Sequence, residues 1–138
     1  MTQGACVLLD LPRLTDERGT LSVIEAAQHI PFDVKRVFYL YDVPDGQQRA
    51  GHALRACHQL IIAISGSFDV VVDDGKRKQR VHLDRPERGL HVPPRIWREL
   101  KGFSADAICL VLASEHYDPE DYFHTYAEFR EAVGAPPQ

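Results

Sequence analysis

Short apolar or alternating segments recur along this chain every ~8–12 residues, the spacing of strands in an all-β sandwich or barrel. They are Ala5–Leu11, Gly19–Glu25, Val34–Tyr41, Leu60–Ile64, Ser67–Asp73, Arg77–Leu83, Leu90–Val92, Trp97–Leu100 and Ala107–Ala113. The Val34–Tyr41 run is rich in β-branched and aromatic side chains, which suit a pleated, half-buried surface. Ala107–Ala113 is apolar without interruption, which predicts a strand covered on both faces. Turn residues punctuate the runs at Asp16-Glu17-Arg18-Gly19, Ser65-Gly66, Asp73-Asp74-Gly75-Lys76 and Lys101-Gly102. Ser65-Gly66 reads as the turn of a hairpin between its two neighbouring runs. Only the C-terminus is helical in pattern. Asp118 stands at a cap position and Pro119 suits a first turn. Tyr122, Tyr126 and Phe129 then form an aromatic stripe, and Gly134 with Pro136-Pro137 closes the segment. The pattern predicts one domain over 1–138: a barrel over 1–117 and a helical segment over 118–134.

Composition narrows the classes. The chain has 138 residues, 44% hydrophobic and 26% charged, with a net charge of −4, so disorder and fibre are excluded. A negative balance supplies no field for a nucleic-acid backbone. No apolar run approaches the ~18 residues of a membrane span, and the start MTQGACVLLDLPRL lacks a basic leader region. Cys6, Cys57 and Cys109 form no CxxC pair, and an odd number of thiols fits the cytoplasm.

The most informative stretch is GQQRAGHALRACHQLIIAISG, from Gly46 to Gly66. It resembles the first motif of the cupins, double-stranded β-helices in which Gly, His-x-His, Glu and Gly recur at set spacing. Gly46, His52, Leu54, Gln59 and Gly66 fall on those positions. Gly89 to Arg98 matches the second motif, with Arg98 where the last metal ligand of that pattern stands. A metal site needs three or four convergent donors. Leucine is no ligand, glutamine is a weak one and arginine repels cations. The expectation is therefore a jelly-roll barrel with neither metal nor cofactor, whose interior holds one small ligand.

Longer strings sharpen the resemblance. Arg18-Gly19-Thr20-Leu21, IPFDVKRVFYLYDVP from Ile30, His58-Gln59, and LVLASEHYDPEDY from Leu110 are similar to the cupin-type sugar-nucleotide 3,4-ketoisomerases. That resemblance covers nearly the whole chain. It implies an isomerase that turns the 4-keto group of a dTDP-linked 6-deoxyhexose into a 3-keto group through an enediol, in deoxysugar and polysaccharide biosynthesis. It also implies a homodimer that exchanges an N-terminal strand, for which Leu8–Leu11 and Leu21–Ile24 are apolar enough. The family pattern is Arg-Gly-x-His-x-His-Lys, with both histidines implicated in catalysis and a tyrosine on the preceding strand. This chain departs twice: Leu54 replaces the second histidine and Phe38 the tyrosine. The departures leave open a single-base mechanism, a changed reaction such as epimerisation, or a nucleotide-sugar-binding cupin without catalysis.

Candidate roles follow. His52 is the base, since imidazole titrates near working pH. Tyr39 and His58 are candidates for the remaining acid–base work, His58 on the premise that it shares strand and parity with His52. Arg49, Arg98, Arg95 and Arg36 are candidates for the diphosphate, because guanidinium offers a planar fork to phosphate oxygens. Together with Arg55, Arg49, Arg95 and Arg98 predict a local basic pocket. Trp97 is a candidate to stack on base or sugar, and Glu99 is a reserve acid.

Overall fold

The computed structural model describes residues 4–134. The Pro136-Pro137 stop and the outer ends of the 1–138 domain lie outside the described residues. The strands are Val7–Asp10 (β1), Arg13–Asp16 (β2), Gly19–Ser22 (β3), Arg36–Leu40 (β4), Arg49–Leu54 (β5) and Gln59–Ser65 (β6). They continue as Phe68–Asp73 (β7), Lys78–Leu83 (β8), Arg88–Val92 (β9), Trp97–Lys101 (β10), Ile108–Ala113 (β11) and Tyr122–Phe123 (β12). Two five-stranded antiparallel sheets face each other, β1-β9-β6-β11-β4 and β12-β5-β10-β7-β8, and β2-β3 pair as a separate hairpin. This is the all-β jelly-roll architecture of a cupin.

Alternation along each strand decides which side chains meet inside. Ile61 and Ala63 of β6, Cys109 and Val111 of β11, Val70 and Val72 of β7 and Leu100 of β10 all bury into one core between the sheets. The opposite parity of the first sheet is apolar as well. Leu60, Ile62 and Leu112 pack outward under Leu11, Ile30 and Phe32. Fully burying each such side chain contributes ~1.5–3 kcal/mol, so both faces of β6 and β11 hold the fold together. A third cluster joins Ala53 and Trp97 to Phe123 and Phe129 on the outer face of the second sheet.

Two expectations about connections change. Ser65-Gly66 makes no hairpin: β6 lies in the first sheet and β7 in the second, so the turn crosses the sandwich. Gly66 is required there, with φ of 63° and space so tight that a Cβ would come within 2.9 Å of the Ala107 Cα. The C-terminal segment is also not one helix. Asp118 caps a single 3-10 turn at Pro119–Asp121. The chain then extends as β12, and helix α1 runs only from Tyr126 to Ala132, with the Thr125 side chain accepting from the Glu128 N–H. Pairing of β12 with β5 wins over the helical stripe because Phe123 reaches the Trp97–Phe129 cluster only from an extended backbone.

Candidate active site

The inner faces of the two sheets each carry one row of functional side chains. On the second sheet, His52 of β5 pairs across the strands with Arg98 of β10. Leu54, two positions on, shares the face of His52, and Tyr122 of β12 pairs with Leu54. On the first sheet, Ala113 of β11 stands between Arg36 of β4 and Gln59 of β6.

Arg98 is 1% exposed and forms no salt bridge among the described residues. It donates from Nη1 to the Gln59 Oε1, and from Nε and Nη2 to the Ile96 carbonyl at 3.2 and 3.1 Å. Burial pulls its pKa down to about 10, so it stays cationic at neutral pH. The uncompensated charge acts on its neighbour. His52 is driven down to about 3, first by burial and then by the positive charges of Arg98, His124 and Arg36. The imidazole is neutral, and its conversion to imidazolium is opposed by the Arg98 charge. Two further buried donors, Gln59 Nε2 and Arg36 Nε, have no hydrogen-bond partner among the described residues. The Arg36 guanidinium lies 5.4 Å from the Phe38 ring centroid and 5.6 Å from that of Tyr117. A lone base facing fixed N–H donors and buried positive charge is built to receive an electron-rich oxygen.

The positions that carry metal ligands in the cupin motif do not fit a cation. Leu54 is hydrocarbon, and Gln59 and Arg98 are committed to each other. The departures are filled by packing: Leu54 is fully buried beside Cys57 and Ala113, and Phe38 leans on the central core.

Several sequence-based candidates are placed elsewhere. His58 does not share a strand with His52, because the turn at 55–58 separates β5 from β6. Gln59 points inward, so His58 points outward, where its Nδ1 lies 3.0 Å from the His91 Nε2 and its ring stacks on Phe32 at 5.6 Å. Tyr39 is 60% exposed on the outer face of β4 and stacks on Tyr41, while Phe38 takes the inward parity. Trp97 and Glu99 also face outward, opposite in parity to Arg98. Trp97 packs under Phe129 and donates from Nε1 to Glu99 Oε2 at 3.1 Å. Arg95 donates its backbone N–H to Leu54 O and its Nη1 to Ala132 O, which ties the end of α1 to the barrel. Arg55 sits 3.9 Å from the Phe123 ring centroid, so the expected basic pocket divides. Arg36 and Arg98 stay with His52, Arg55 and Arg95 hold Phe123, and Arg49 is exposed at the start of β5. Tyr122 is the residue that the helical reading hid. Its ring meets His52 edge-on at 4.9 Å, and only the opposite parity of Tyr122 and Phe123 in the sequence signals that placement.

Residues 4–134 match the FdtA family (WxcM-like, C-terminal). The chain belongs to this family. Over 126 residues it is 37% identical to the TDP-4-oxo-6-deoxy-α-D-glucose 3,4-oxoisomerase of Aneurinibacillus thermoaerophilus, covering 91% of each protein. The crystal structure of the WlaRB TDP-quinovose 3,4-ketoisomerase from Campylobacter jejuni is similar at 40% identity and a TM-score of 0.88, covering 91% of this chain and 97% of that one. The QdtA sugar 3,4-ketoisomerase of Thermoanaerobacterium thermosaccharolyticum, solved with TDP, superposes at 32% identity and a TM-score of 0.91, covering 94% of both chains.

Proposed function

We propose that this family member is a nucleotide-sugar 3,4-ketoisomerase acting on a dTDP-linked 4-keto-6-deoxyhexose. The observation that carries the reading is the neutral, half-buried His52 set against Arg98, Arg36 and the unpartnered Gln59 Nε2. In this reading His52 takes the proton from C3 of the sugar. The negative charge that grows on the C4 oxygen is met by Arg98 and Arg36, and its arrival offsets the charges that hold His52 at low basicity. Arg49, exposed at the strand start, is assigned to the diphosphate.

The test is incubation with dTDP-4-keto-6-deoxyglucose in heavy water, read by NMR. Deuterium at C3 or C4 together with a 3-keto product is expected. Tight dTDP binding without exchange would leave a binding protein, and exchange with inversion but no 3-keto product would indicate an epimerase.

We further assign a homodimer and a cytoplasmic setting. Leu14 and Leu21 pair across the β2-β3 hairpin at 61% and 57% exposure, an apolar surface suited to a second copy. Sedimentation of the wild type and of Leu14→Asp should show a dimer that the variant weakens. Free thiols at Cys57 and Cys109 suit a reducing compartment, and among the described residues no helix is long and apolar enough to cross a membrane.

A further inference from the structure

Ketoisomerisation moves two protons. One leaves C3 and returns at C4, and one moves from the C3 hydroxyl to the C4 oxygen. His52 serves the carbon proton, while the two positions at which the family pattern supplies further proton-handling side chains are Leu54 and Phe38, both apolar. The structure nevertheless sets a phenol ring against His52. β12 continues the second sheet past β5, so Tyr122 stands on the inner face opposite Leu54. Its ring is 4.9 Å from that of His52, lies nearly parallel to that of His124 at 5.8 Å and meets that of Tyr117 at 5.8 Å. The Tyr122 hydroxyl makes no hydrogen bond to the protein among the described residues. His124 is a poorer candidate, since it is exposed and its Nε2 is within 3.3 Å of the Pro119 carbonyl. A half-buried phenol whose oxygen is left for a ligand, packed against the base, has the chemistry the vacant role needs.

We propose that Tyr122 is the second catalytic residue of this pocket, and that it serves the sugar oxygens while His52 serves the carbons. The proposal rests on the ketoisomerase reading. His52 removes the C3 proton, the C3–H electron pair becomes the C3=C4 double bond, and the C4=O π pair moves onto oxygen. That oxygen takes the Tyr122 proton, which gives the enediol. The phenolate then takes the proton of the C3 hydroxyl, the C3=O bond forms, and the double-bond pair takes the proton back from His52 at C4. Both side chains end as they began, and no other reactant is consumed.

The experiment compares the full-length wild type, Tyr122→Phe and Leu54→His on dTDP-4-keto-6-deoxyglucose, measuring turnover, dTDP binding and thermal unfolding. Tyr122→Phe keeps the ring contacts and is expected to lose ~10²–10⁴-fold in kcat, with dTDP affinity nearly unchanged. Leu54→His is expected to gain less than about tenfold, because the second group is already present. Loss of turnover in Tyr122→Phe is also expected to be partly rescued by adding Leu54→His. Turnover of Tyr122→Phe within about threefold of wild type overturns the assignment, and so does a gain of about a hundredfold in Leu54→His alone. The second criterion holds even where Tyr122→Phe does not fold. A wild type with neither turnover nor exchange overturns the ketoisomerase reading itself, and the Tyr122 role with it.

Discussion

His52 and His58 stand six residues apart and finish in opposite kinds of environment. His52 faces the barrel interior, where the buried Arg98 lies across the strand and forms no salt bridge among the described residues. His58 lies outside the first sheet, its ring packed against Phe32 and His91 with centroids at 5.6 and 5.2 Å, and those two rings also meet each other at 5.7 Å. Both imidazoles are held below the ordinary histidine pKa, first of all by burial, and Glu115 partly offsets the effect on His58. The second cause separates them. His52 is depressed further by fixed guanidinium charge, which an anionic ligand cancels, whereas His91, at about 4, is depressed further only by His58. A depressed histidine is thus a site candidate when the remaining perturbation is one that a ligand reverses. A pair of outward histidines that perturb each other is a packing feature.

The largest effect that would break this contrast is on turnover. His52→Asn is expected to lower kcat by ~10²–10⁴-fold while dTDP still binds, and His58→Asn should leave kcat within about threefold. Equal losses at both positions would remove the distinction between the inner and outer faces.

Arg98→Met sharpens the same comparison one step away. It removes the charge that lowers His52 and leaves the Gln59 and Ile96 oxygens without their donor. The cost is ~1–3 kcal/mol of stability, read by denaturant unfolding. The His52 titration, followed by NMR, should move upward from about 3, while that of His91 stays near 4. An unmoved His52 would show that the Arg98 charge does not set its state.

Much of the fold was legible in the sequence, because alternation and turn residues are local. The runs at Val34–Tyr41, Ser67–Asp73, Arg77–Leu83 and Ala107–Ala113 become β4, β7, β8 and β11 with ends shifted by a residue or two. Site membership was less legible, since it depends on which face a strand presents after a turn. Parity counted through Arg55–Cys57 fails, because a turn resets it, and so His58 was misplaced. Within β10 the alternation was sound, yet Trp97 and Glu99 were grouped with Arg98 on chemistry rather than on face. Tyr122 was hidden by a genuine helical spacing that Phe123 overrides by packing under Trp97. The resemblance to the sugar-nucleotide 3,4-ketoisomerases needed no such inference, because its strings are contiguous.

Acid stability offers a smaller effect that still distinguishes the two regions. His52 and His91 have folded pKa values of about 3 and about 4, below the ordinary 6.5. The unfolded chain therefore binds more protons, and the stability these groups contribute is complete above pH 6.5 and lost as pH falls toward 4 and then 3. Urea unfolding between pH 7 and 4 should show a declining midpoint. His91→Asn should flatten the decline, modestly, since the outer pair is partly solvent-screened. Added dTDP should act differently, raising the midpoint at every pH through binding to the folded state alone. A slope that survives His91→Asn unchanged would show that the acid lability does not come from His91.

The smallest expected effect concerns the outward face of β10. Trp97 donates to Glu99 at 3.1 Å, and Glu99 in turn lies 3.7 Å from the Lys101 Nζ. Because this parity points under α1 and away from His52, Glu99→Gln is a test of face rather than of chemistry. The amide oxygen still accepts from the indole, so only the half-buried ion pair with Lys101 is lost, worth ~0.2–1 kcal/mol. Thermal unfolding should fall by no more than a few degrees, and kcat and KM for dTDP-4-keto-6-deoxyglucose should not change. A drop in kcat of about tenfold or more would mean that the second sheet does not separate Glu99 from the reacting sugar, and that acid–base chemistry reaches both of its faces.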